Sequence, residues 1–101
     1  NVSGIQVLYR PKSNATLDEK TNYLLAEIIM DEMVKGTGAQ NKGIIKRTDL
    51  AVLNTANVPA NLIELGFLSN PEEAKLLNDS AYQDILVESI IKGIEKFFEM
   101  Y

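Results

Sequence analysis

The C-terminal end of the chain carries the feature that most restricts its fold: Ile85, Leu86, Ile90, Ile91, Ile94, Phe97 and Phe98 recur at three- and four-residue spacings. On a helix these positions form one wide apolar stripe, and such a stripe has to be buried. The segments ahead of it supply a sheet. Residues 4 to 10 alternate, with Ile5, Val7 and Tyr9 on one face of a strand and Gln6, Leu8 and Arg10 on the other, until Pro11 stops it. Leu50 to Leu53 and Asn61 to Phe67 read as two further strands, separated by the turn-rich run Asn54-Thr55-Ala56-Asn57-Val58-Pro59. Between the first two strands, the capping-box pair Thr16 and Glu19 and the recurrence of Leu17, Leu24, Leu25, Ile28, Ile29 and Val34 predict a helix over 17 to 35, stopped by Gly36-Thr37-Gly38. Residues 36 to 49 show no periodicity and read as a loop. Asn70 followed by Pro71, Glu72 and Glu73 is a helix start, with an N-cap, a proline at the first helical position and acids in the first turn. That short helix should end near Asn78, and Ser80 can cap the last one. Strands interspersed with helices of these lengths give an α/β fold, a mixed sheet covered by helices. Residues 61 to 67 are expected as an interior strand, with Ile63, Leu65 and Phe67 beneath the last helix and Phe98 buried in that contact.

One residue does not fit a buried strand. Glu64 is a carboxylate inside the apolar run from Pro59 to Leu68, and a carboxylate removed from water costs several kcal/mol unless it is paired or protonated. Leu62, Glu64 and Gly66 share one strand face, and Ile63, Leu65 and Phe67 the other. Two readings stay open on spacing alone: an edge strand that shows Glu64 to water, or a site that uses it.

The run Ile63-Glu64-Leu65-Gly66-Phe67-Leu68-Ser69-Asn70-Pro71-Glu72-Glu73-Ala74-Lys75-Leu76-Leu77, entered through Val58-Pro59-Ala60, resembles the signature of the zinc-dependent N-acetylmuramoyl-L-alanine amidases of the Amidase_3 type. Ser3-Gly4-Ile5-Gln6-Val7-Leu8-Tyr9 is similar to the strand after that family's last zinc-binding histidine. Lys42 to Lys46 with Leu50 to Leu53 resembles its next loop and strand, and Ala81-Tyr82-Gln83 with Ile90 to Phe98 its closing helix. The resemblance implies that residues 1–101 are the C-terminal part of a single catalytic domain, three-layer α/β/α when complete, and lack the N-terminal segment of metal ligands. It implies a bacterial cell-wall hydrolase, autolysin-like and extracytoplasmic, that acts on peptidoglycan at the amide between N-acetylmuramic acid and the L-alanine of the stem peptide. Glu64 takes the place of the catalytic acid/base. Asn54 stands where family members commonly present an arginine, and Asn54, Asn57 and Asn61 are candidate substrate-binding residues.

The chain has no histidine and no cysteine. A catalytic zinc site needs about three protein ligands drawn mostly from imidazole. Zinc is thus expected only in the complete enzyme, with no metal ligand in this chain and no activity from the fragment alone. An open sheet edge would then pair with the N-terminal portion or with a second copy. A catalytically silent peptidoglycan-binding or regulatory module of the same fold is the alternative, and an α/β interaction domain a third reading. Ten basic residues against fourteen acidic ones, a net charge of −4, leave no basic stripe for nucleic acid. No apolar run approaches the roughly 20 residues that cross a bilayer. Asn1-Val2-Ser3 and Asn14-Ala15-Thr16 match the glycosylation sequon, and the bacterial wall enzyme implied by the resemblance makes chance the better explanation.

Overall fold

In the computed structural model, residues 3–10, 19–56 and 58–100 are described. The expected stop at Pro11, the Thr16 cap, Leu17, Asn57 and the residues of the second sequon lie outside them. The elements run β1 (Ile5–Tyr9), α1 (Glu19–Thr37), β2 (Asn41–Lys46), α2 (Ala51–Asn54), β3 (Leu62–Glu64), α3 (Pro71–Leu77) and α4 (Ser80–Met100). The three strands form one mixed sheet in the order β2-β1-β3, with β2 parallel and β3 antiparallel to β1.

β1 falls within the strand expected over residues 4 to 10, and α1 covers the described part of the helix expected over 17 to 35 and runs on to Thr37. Gly38, at φ 72°, ends α1 by sending its N–H back to the Val34 carbonyl at 2.8 Å. β2 lies inside the stretch read as a loop. Its alternation is hidden by a bulge: Ile5 pairs with Asn41 but Val7 with Ile44, so β2 carries an extra residue there. Gly43, at φ 105°, supplies the backbone turn, and its N–H donates to the Asn41 side chain at 2.8 Å. The strand expected at Leu50 to Leu53 is instead the short helix α2, closed locally by Asn54 N–H to the Leu50 carbonyl at 2.9 Å and Thr55 N–H to the Ala51 carbonyl at 3.1 Å.

α3 matches its sequence signals. Asn70 accepts from Glu72 N–H at 3.0 Å and Glu73 N–H at 3.2 Å, Pro71 opens the helix, and Asn78 closes it. At α4 the cap is Asp79, not Ser80: the Asp79 carboxylate accepts from Ala81 N–H at 2.8 Å and Tyr82 N–H at 3.1 Å.

The core joins one sheet face to two helices. Ile5 and Val7 pack with Leu25, Ala26, Ile29, Met30 and Met33 of α1 and with Leu86 and Phe97 of α4. α1 covers β1 and β2, and α4 lies chiefly along α1 instead of directly on the sheet. The helices meet closely because the buried line of α4 is Leu86, Ser89, Gly93 and Phe97. A Cβ on Gly93 would stand 3.1 Å from the Ile29 Cα. This rotation corrects the expectation for Phe98, which is 69% exposed while Phe97 is 4% exposed. β3 also differs: it is three residues long and, among the described residues, pairs with β1 alone, at the edge of the sheet. Ile63 and Leu65 pack against the core cluster, whereas Phe67, expected beside them beneath the last helix, is not among the residues packed there.

Candidate functional site

Glu64 is the last residue of β3 and lies directly opposite Gln6 of β1. Its neighbour Ile63 pairs with Val7 and packs against the core, so strand alternation turns Glu64 to the other face of the sheet, where it is exposed. Leu62, opposite Leu8, shares that face. Of the two readings open on spacing, the fold adopts the edge position, and the carboxylate is exposed to water. The apolar groove of about 510 Å³ lined in part by Ile63, Ile94 and Phe98, and the cavity of about 610 Å³ beside Tyr9, Tyr23 and Lys46, are both formed without Glu64.

A cation stands within electrostatic reach. The Arg47 N–H donates to the Tyr9 carbonyl at 2.9 Å, which carries the backbone past the end of β2 and alongside β1. The Arg47 guanidinium is held in a fork by Asp49, with Nε and Nη2 each 2.7 Å from a carboxylate oxygen. Hydrogen bonding to Asp49 chiefly raises the Arg47 pKa above its usual value, and the Glu64 charge adds to that in the same direction. The same fork lowers the Asp49 carboxyl to about 2. Neither residue stands out by sequence pattern, since an Arg-x-Asp spacing in an aperiodic stretch resembles any solvated surface.

The segment leaving Glu64 is fastened by Glu73. One carboxylate oxygen of Glu73 accepts from Phe67 N–H at 2.8 Å and the other from Gly4 N–H at 2.6 Å. In the sequence Glu73 was legible only as one of two acids at a helix start.

The candidate asparagines have structural duties. Asn54 donates its Nδ2 to the Thr48 carbonyl at 2.8 Å, and its own carbonyl accepts from Arg10 Nη1 at 2.9 Å. Asn61 donates to the Ala60 carbonyl at 2.9 Å and to the Asn22 carbonyl at 3.2 Å. The Oδ1 atoms of both are buried without a partner. Asn57 lies outside the described residues. Zinc has no fitting ligand set here: imidazole and thiolate are absent from the chain, and among the described residues no group of three or more Asp or Glu side chains is placed to hold a metal ion.

Residues 1–96 match the N-acetylmuramoyl-L-alanine amidase family, Amidase_3. A germination-specific N-acetylmuramoyl-L-alanine amidase of Bacillus subtilis is 36% identical over 77 residues, which are 76% of this chain and 32% of that protein. Among solved structures, the CwlD amidase from Clostridioides difficile, determined in complex with the GerS lipoprotein, superimposes with a TM-score of 0.87 at 31% identity over 99% of this chain and 48% of that one. An N-acetylmuramoyl-L-alanine amidase from Clostridium difficile 630 gives 0.86 at 30% identity, covering 98% and 50%. The mixed sheet with its helices is thus the α/β architecture of amidase domains. The chain belongs to the N-acetylmuramoyl-L-alanine amidase family. It spans about a third of the length of the germination-specific relative and about half of the matched solved chains.

Proposed function

We propose that these residues are the C-terminal part of a peptidoglycan amidase domain in which Glu64 transfers protons during hydrolysis of the amide between N-acetylmuramic acid and L-alanine. The observation that carries this reading is the position of Glu64: an exposed carboxylate at the end of an edge strand, within the stretch matched to the amidase family. Amide hydrolysis needs a base to accept a proton as water attacks the carbonyl carbon, and an acid to protonate the nitrogen as the C–N bond breaks. One carboxylate serves both steps in turn.

The reading includes parts beyond this chain. Zinc is proposed for the complete enzyme, with its ligands in protein outside these residues. β2 and β3 each pair on one side only among the described residues, and we assign the open edges to the preceding portion of the same domain, with a second copy as the other partner of suitable geometry. Asn54, Asn57 and Asn61 are proposed as substrate-binding residues of the complete enzyme. The setting is extracytoplasmic, at the bacterial cell wall, in an autolysin-like role. No helix among the described residues is long and apolar enough to cross a membrane.

The test is Glu64→Gln in the complete enzyme, with turnover on purified peptidoglycan and bound metal measured on one preparation. The amide keeps the shape but cannot accept the proton, so kcat should fall by about a hundredfold or more with metal content and thermal midpoint unchanged. Unchanged turnover would overturn the reading, and loss of metal together with activity would assign Glu64 to ligation instead.

A further inference from the structure

We infer that Glu73 is a positioning residue, whose carboxylate ties the backbone leaving Glu64 to the start of β1 and so sets the direction in which Glu64 points. This rests on the reading of Glu64 as the proton-transfer group. β3 is three residues long and ends at Glu64, so ladder pairing alone holds only the approach to that residue. What fixes the exit is the Glu73 carboxylate, which accepts from Phe67 N–H at 2.8 Å and from Gly4 N–H at 2.6 Å. Gly4 immediately precedes β1, the strand on which Glu64 finds its partner Gln6. The carboxylate therefore closes a frame of two strands around the catalytic position, with two charge-assisted bonds in place of a longer ladder.

Glu73 is available for this because it is released from a commoner duty. A glutamate at the third position of a helix usually folds back to the N–H of its own capping residue. Here Asn70 caps α3, its own N–H donates to the Phe67 carbonyl at 2.9 Å, and Glu73 reaches past it. The backbone makes room for that reach. A Cβ on Gly66 would stand 3.1 Å from the Glu73 Oε1 and 3.2 Å from the Leu77 Cδ1, so the chain between Glu64 and Phe67 is shaped around the carboxylate. Gly4 is constrained likewise, since its φ of 107° turns its N–H and a Cβ there would meet the Gln40 carbonyl.

The experiment is a double-mutant cycle in the complete enzyme. Glu73→Gln retains the side chain's size but offers one acceptor oxygen where two N–H groups need one each, and it should lower kcat by about tenfold or more with KM within about twofold, because a small misplacement of a reacting group costs on this scale. In a Glu64→Gln background the same substitution should change kcat by less than about twofold, since its effect passes through Glu64. Equal losses on both backgrounds, or no loss on either, would overturn the role of Glu73 while leaving Glu64 in place. If Glu64→Gln itself leaves kcat unchanged, both assignments fall. A measurement on the unsubstituted protein guards against variants that do not fold: amide exchange at Gly4 and Phe67 should be slowed by about a hundredfold or more relative to open amides. Exchange at unprotected rates would remove the bonds on which the inference depends.

Discussion

Phe97 and Phe98 are adjacent and chemically identical, yet their truncation should differ several-fold in cost. Phe97 is 4% exposed and belongs to the core cluster that joins α4 to α1 and β1, whereas Phe98 is 69% exposed. Removing a fully buried phenylalanine costs about 3–5 kcal/mol, from lost burial and from the cavity left behind. Phe98→Ala removes little buried surface. It loses the edge-on approach of the two rings, with centroids 5.7 Å apart, a geometry worth about 0.5–1.5 kcal/mol. A domain of this length has roughly 5–15 kcal/mol of stability in all, so Phe97→Ala removes a large share. With a urea m-value near ~1.5 kcal/mol per molar, the unfolding midpoint of Phe97→Ala should drop by about 2 M or more at unchanged slope, and that of Phe98→Ala by under about 1 M. Equilibrium urea unfolding followed by far-UV circular dichroism reads both. Similar shifts for the two variants, or a larger one for Phe98→Ala, would refute the rotation of α4 described above.

Two further outcomes are expected. The Glu32 carboxylate of α1, 8% exposed, accepts from Lys96 of α4 at 2.6 Å, and chiefly this hydrogen bond holds its pKa below 4.5. The folded state then binds that proton less tightly than the unfolded chain, so the stabilisation is complete above pH 4.5 and is lost as pH falls through the lowered value. Glu32→Gln should therefore flatten the fall in thermal midpoint below that pH, and an unaltered acid limb would count against the pair. At the start of α4, Asp79→Ala should cost about 1 kcal/mol in chemical denaturation and Ser80→Ala close to none, and the reverse order would return the cap to Ser80.

What the sequence discloses here depends on whether a signal is local. Asn70, Pro71 and the acids after them specify α3 by their own hydrogen bonding, and the structure reproduces that helix to its closing Asn78. The stripe of α4 was legible as a helix, but its orientation was not. A reading by hydrophobicity weights Ile91, Ile94 and Phe98, which are exposed, and overlooks Ser89 and Gly93, whose small size lets the α1 backbone approach. β2 was hidden because its bulge breaks the two-residue period, and Leu50 to Leu53 is too short for periodicity to separate a turn of helix from a strand. Glu64 stood out because a charge interrupts an apolar run. Its supports did not, since Glu73 reaches Gly4 across 69 positions, a separation that no local pattern reports.

That long reach also sets when the end of β3 takes shape. β1 precedes both of its partner strands, and it can pair with β2 through α1 once the residues up to Lys46 exist. Its other edge waits for β3, and the clasp on Gly4 waits for Glu73. Contacts of such separation close late, after local helices and neighbouring strands have formed. On a ribosome, where the chain emerges from its N-terminal end, the frame around Glu64 is completed only when α3 is clear of the exit.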